Sequence, residues 1–176
     1  NYSLTPVKRE HEHFCREFYN KCQLGKITMS ELVETWVTHG RLNQYLLAGI
    51  SEAGLAADMN GKGRTVFALF AHIHNVRLMW LKSVSPDLLI GLEKIEPKPI
   101  MTSADLKAGL VQSGQAIASL IELSEAAGGR VKGFKPHVTA FVGYLISHES
   151  HHRGQIEWAL RMSGCPIDDK ISFGLW

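Results

Sequence analysis

The chain has 176 residues, the size of one ordinary domain, and its 45% apolar and 20% charged residues indicate neither a disordered nor a membrane protein. A net charge of +2 with the signs interspersed leaves no footprint for nucleic acid. No apolar run approaches the roughly 18 to 20 residues that span a bilayer.

The opening "NYSLTPVKRE" lacks the apolar core of a signal peptide. Three cysteines, Cys15, Cys22 and Cys165, are an odd number without a C-x-x-C pair, which argues against a disulfide scaffold and for a reducing compartment. The expectation is a cytoplasmic protein that binds neither membrane nor nucleic acid. Nine histidines are the unusual count, and they direct attention to metal chemistry.

In chain order, Lys8 to Lys21 offers a short N-terminal helix. The first long helix is expected from "TMSE", where Thr28 and Glu31 suit a capping box. It runs through Leu32, Trp36, Leu42, Leu46 and Ile50 towards residue 52. A glycine-rich turn, "NGKG", precedes the second, from about Arg64 to Lys82. The connection over residues 83 to 101 is long for a bundle and reads as a crossover or as a flap over one end of the site. Thr102 or Ser103 caps the third helix, which stops at Gly128-Gly129. The fourth starts at Pro136, a suitable first-turn residue, and stops at Gly164. Four helices of this length describe an all-α four-helix bundle over residues 28–165, with residues 1–27 as an N-terminal extension, in a single domain over 1–176.

The fourth helix carries "SHESHHRGQIEW", residues 147 to 158, which contains H-E-x-x-H. Val138, Phe141, Leu145, His148, His152, Gln155, Ala159 and Met162 follow one another at steps of three and four, the spacing of a bundle core. Two imidazoles one turn apart on such a seam are costly to bury unless a metal satisfies both. On the second helix, Thr65, Leu69, His72, Val76 and Met79 form a comparable seam, so His72 is preferred as a third ligand. His74, on a seam with Phe70, Arg77 and Leu81, is the alternative. His151 and Gln155 flank the pair and could orient its imidazoles, as could Glu149 and Arg153, which are also the catalytic candidates. Tyr144 reads as packing, and Gly154 as a close approach of a neighbouring backbone. His11, His13, His39 and His137 read as surface or packing residues.

A zinc protease needs a further ligand downstream. The extended motif would place it at position 158, which is Trp158, and Asp168 and Asp169 come too soon after the helix. The protease reading fails on context.

The histidine followed by "IHNVRLMWL" on the second helix, together with "HESHHRGQI" on the last, resembles the DinB superfamily, which includes the YfiT-like proteins. The likeness runs from about Ser30 to the C-terminus. It implies a bundle holding one divalent ion, Zn or Ni, through His72, His148 and His152, and often a homodimer. Some members transfer thiols such as bacillithiol, so the resemblance implies a metal-dependent transferase acting on a small-molecule substrate with a low-molecular-weight thiol as cofactor. The alternatives are a metal-dependent hydrolase with Glu149 as base, and a non-catalytic metal-binding dimer.

Overall fold

The computed structural model describes residues 29–59, 61, 63–96 and 102–174. Thr28, the segment Lys8 to Lys21 and residues 97–101 lie outside the described residues. Helices dominate, and among the described residues there is no strand; Val131 and Phe134 form an isolated bridge. In order they are α1 (Glu31–Ala48), the short α2 (Glu52–Leu55), α3 (Val66–Val84), a 3₁₀ turn (Pro86–Leu89), α4 (Ser103–Ala126), α5 (Val138–Met162) and the short α6 (Asp169–Phe173). The architecture is an all-α bundle of four long helices.

The ends of these helices follow from capping chemistry. Thr65 Oγ1 accepts from Ala68 N at 3.2 Å to start α3, and Thr102 Oγ1 accepts from Asp105 N at 3.3 Å to start α4. Both α4 and α5 stop on a glycine with positive φ, Gly128 at 91° and Gly164 at 69°. The next residue's N–H then reaches back to a carbonyl in the last turn: Gly129 N to Ser124 O at 2.7 Å, and Cys165 N to Leu160 O at 2.9 Å.

Two expected boundaries move. α1 ends at Ala48, short of residue 52, because i→i+3 bonds tighten the chain at Gly49 and Ile50, and Ser51 Oγ then caps α2 through Gly54 N at 3.1 Å. A Cβ at Gly49 would lie 2.8 Å from Ile171, so glycine there permits close approach of α6. α5 begins at Val138 rather than Pro136, because the His137 ring is its cap, Nδ1 accepting from Ala140 N at 3.2 Å.

The order of contacts gives the helix directions. His74 meets Gly109, and Arg77 meets Leu110 and Ser113, so α3 and α4 run parallel. Parallel neighbours need a long return. The connection after α3 is therefore a crossover, and its described part docks on α3 through Asn75, whose Nδ2 donates to Ile95 O at 2.9 Å. The described part covers the His74 side, Glu93 O facing His74 Nε2 at 2.9 Å. The main apolar core joins Leu46, Leu47 and Ile50, Val66, Phe67, Leu69, Phe70, Ala71 and Ile73 on α3, Leu106 and Leu110 on α4, and Ile156, Ala159 and Leu160 on α5. Leu32–Trp176 form one compact unit.

Candidate metal site

The inward face of α5 is Val138, Phe141, Val142, Leu145, Glu149, His152, Ile156, Ala159 and Leu160. It is turned by about one residue from the seam that the 3,4 spacing suggests. Gln155 and Met162 leave the core, and Glu149 enters it at 1% exposure. The same turn affects α3. Its buried line includes Phe70, His74, Arg77 and Leu81, whereas Met79, on the seam of His72, is half exposed.

This rotation places His72, His148 and His152 at the margin of the core, where they meet. Each offers a ring nitrogen, and these atoms lie within 4.8 Å of one another. His148 Nε2 and His152 Nε2 are 3.2 Å apart. Two nitrogens bound at about 2.0–2.1 Å to one tetrahedral ion stand about 3.3 Å apart, so the pair is already at ligand spacing. The His72 ring centroid is 5.3 Å from that of His148 and 4.7 Å from that of His152.

The donor set fits a divalent cation in its proton states too. Gln155 Oε1 accepts from His152 Nδ1–H at 2.7 Å, which leaves the Nε2 lone pair directed at the cluster. His148 Nδ1 is buried without a hydrogen-bond partner, an unsatisfied polar atom beside the cluster. Burial lowers the pKa of all three histidines, with Arg64 and the neighbouring imidazoles acting in the same direction on His72, which falls to about 4. All three are therefore neutral near pH 7, the form that ligates.

His74 is not brought to the cluster. Its Nδ1 faces Gly109 O and its Nε2 faces Glu93 O, each at 2.9 Å, so it ties α3 to α4 and to the crossover. His151 is exposed and touches His152 ring to ring at 5.3 Å. Tyr144 stacks on His148 at 6.2 Å and packs on Trp80 and Phe134. Gly154 departs from expectation. It is exposed, and a Cβ there would meet nothing within 4 Å, so among the described residues no backbone approaches it.

Glu149 is the largest departure. It is neither a solvated flank residue nor a group free to take a proton from water. Oε1 accepts from Arg77 Nε at 2.7 Å, and Oε2 accepts from Arg77 Nη2 at 2.7 Å, Asn43 Nδ2 at 2.6 Å and His39 Nε2 at 2.8 Å. Burial alone would raise its pKa, but the Arg77 charge and the donated hydrogen bonds outweigh that and hold it at about 2. Arg153 closes the same network from outside, donating to Asn43 Oδ1 at 2.9 Å and to Ser150 Oγ at 2.7 Å.

A family model described as the DinB family matches residues 20–167. The chain belongs to the DinB family. The match begins upstream of the Ser30 limit of the motif likeness and stops before the last nine residues of the chain. No curated protein matches this DinB-family chain.

Within the DinB-family bundle, the residues that sequence reasoning left out are Arg77, His39 and Asn43. Their signal was present. Trp36, His39 and Asn43 follow one another at steps of three and four on α1 and are all buried, and Arg77 shares the seam of Phe70 and Leu81. A buried guanidinium requires a buried carboxylate, and Glu149 is the one it finds.

Proposed function

We propose that this DinB-family protein is a divalent-metal-dependent transferase that uses a small thiol, with His72, His148 and His152 as the metal ligands. The observation that carries the reading is the convergence of three neutral imidazoles from α3 and α5, with Gln155 fixing the tautomer of one. Three protein ligands leave coordination room for a small molecule, the arrangement of reactive rather than closed sites. A divalent ion held there, Zn or Ni, would supply Lewis acidity and stabilise a sulfur anion. The chain's own residues hold the ligands neutral, orient His152 through Gln155, and wall His148 with Tyr144.

The network around Glu149 speaks against the hydrolase alternative. A carboxylate with four donated bonds and a pKa of about 2 is a poor general base near neutral pH. A cleft of about 380 Å³ lies between α3, α4 and the crossover, lined by His74, Glu93, Ile95 and Gly109, apart from the three histidines. Among the described residues no helix is long and apolar enough to cross a membrane. A cytoplasmic homodimer acting on a small-molecule substrate remains the expectation for the whole protein.

The test is a panel of low-molecular-weight thiols with an electrophilic bimane or chloro-dinitro arene, run with the Zn- and Ni-loaded protein. Thiol-dependent turnover that disappears in His148→Ala supports the transferase. A flat panel from protein that holds one ion per chain supports the non-catalytic reading.

A further inference from the structure

Glu149 contributes no atom to the histidine cluster, yet it lies in the chain between His148 and His152. Its partner Arg77 stands five residues after His72 on α3. We propose that Arg77 and Glu149 are positioning residues, a register lock that fixes the rotation of α5 against α3 and thereby the convergence of the three histidines. The inference rests on the metal reading above and concerns what aligns that site.

The geometry of the pair suits this role. Its two contacts, Nε to Oε1 and Nη2 to Oε2, are both 2.7 Å, so the guanidinium and carboxylate meet as two forks. A bidentate pair constrains orientation as well as distance, which a single hydrogen bond or an apolar contact does not. Both side chains are 1% exposed, which shields the fork from bulk solvent.

The lock is referenced to all four long helices. Arg77 Nη1 donates to Leu110 O at 2.9 Å and to Ser113 Oγ at 3.3 Å on α4, and the Arg77 guanidinium sits 5.0 Å from the Trp36 ring of α1. His39 and Asn43 of α1 hold Glu149 Oε2. Each helix thus meets the same buried charge pair, and α5 cannot turn without breaking several bonds at once.

The site needs such control because its tolerance is small. A side-chain atom about 5 to 6 Å from a helix axis moves about 1 Å for a 10° rotation of that helix. Metal–ligand distances hold to about 0.2 Å. Apolar side chains in place of the pair would fill the same volume, and such replacements are often neutral or stabilising, but they tolerate more than one rotation. A buried ion pair next to the ligands therefore serves alignment more than stability.

The test uses the full chain as wild type, as the double variant Arg77→Met/Glu149→Leu, and as Glu149→Asp, which keeps the charge but shortens the reach by one methylene. Zn²⁺ affinity is read by competition with a chromogenic chelator, the ligand field by the visible spectrum of Co²⁺-loaded protein, and the fold by circular dichroism and thermal melting without metal. The double variant is expected to stay helical with a cooperative melt, to lose about tenfold or more in Zn²⁺ affinity, and to show a changed Co²⁺ spectrum. A folded double variant with wild-type affinity and spectrum overturns the proposal. Should the double variant not fold, Glu149→Asp decides: weakened affinity in folded protein supports the lock, and unchanged affinity overturns it. Wild type that binds no Zn²⁺, or binds it equally as His72→Ala, instead removes the metal reading beneath.

Discussion

Gln155 Oε1 lies 2.7 Å from His152 Nδ1, one turn along the same helix and on the side away from His148. The contact fixes which nitrogen of His152 carries the proton and which offers its lone pair. Groups of this kind, one bond removed from the ion, typically matter by 10- to 100-fold in metal affinity. Gln155→Leu should therefore keep the fold while weakening Zn²⁺ binding by about that factor, read by chelator competition. Equal affinity in the variant would remove Gln155 from the site.

His72 and His74 sit two residues apart on opposite sides of α3, so they separate cleanly by mutation. His72→Ala should abolish stoichiometric metal while leaving the thermal midpoint of the metal-free protein nearly unchanged, since the ring lies at the edge of the core. His74→Ala should do the reverse. It removes contacts to Gly109 O and Glu93 O and opens a buried site, at a cost of about 1–3 kcal/mol, with metal retained. Metal analysis and melting of both variants give the answer. Metal loss in His74→Ala with retention in His72→Ala would exchange their roles.

The four long helices were legible because much of their punctuation rests on local chemistry: Thr102, Gly128 and Gly164 each act within one turn of themselves. The histidine cluster was legible for a related reason, since i, i+4 spacing and a second polar break in an apolar seam are both local patterns. What the pattern missed was rotation. Seams with steps of three and four can be drawn through either His148 or Glu149, and apolar neighbours do not distinguish them. The choice is made by Arg77, His39 and Asn43, on other helices and distant in sequence, which turn Glu149 inward. Gly154 was misread for the opposite reason: a helical glycine suggests a close neighbour, and whether one exists is a tertiary fact. The crossover was open between two readings until the parallel course of α3 and α4 required it.

Acid should destabilise the metal-free protein in two stages. Both shifts are depressions. The unfolded chain takes up histidine protons near 6.5, whereas native His72 resists them until about 4, so stability is flat above about pH 6.5 and falls between there and pH 4. Glu149 contributes stability that is fully present above its ordinary value of 4.5 and is lost as pH falls towards 2. Urea midpoints measured in chelator from pH 8 to pH 3 should show the decline begin near 6.5 and continue below 4.5. Midpoints that stay level from pH 7 to pH 4.5 would contradict a buried neutral histidine cluster. Saturating Zn²⁺ should raise the whole curve near neutral pH and lose its effect on the acid side, because protons compete with the ion for the same lone pairs.

Gly154 gives a prediction of the opposite sign. It sits inside α5, exposed, with helical neighbours on both sides and open space where a Cβ would be. Glycine in such a position costs about 0.5–1 kcal/mol relative to alanine, through the extra freedom of the unfolded chain. Gly154→Ala should therefore raise stability by about that amount, visible as an increase of a few degrees in the thermal midpoint, with Zn²⁺ affinity unchanged. A lower midpoint would overturn the reading of that face of α5 as open. A higher midpoint with weakened Zn²⁺ binding would mean that the glycine lets α5 adjust around the ion.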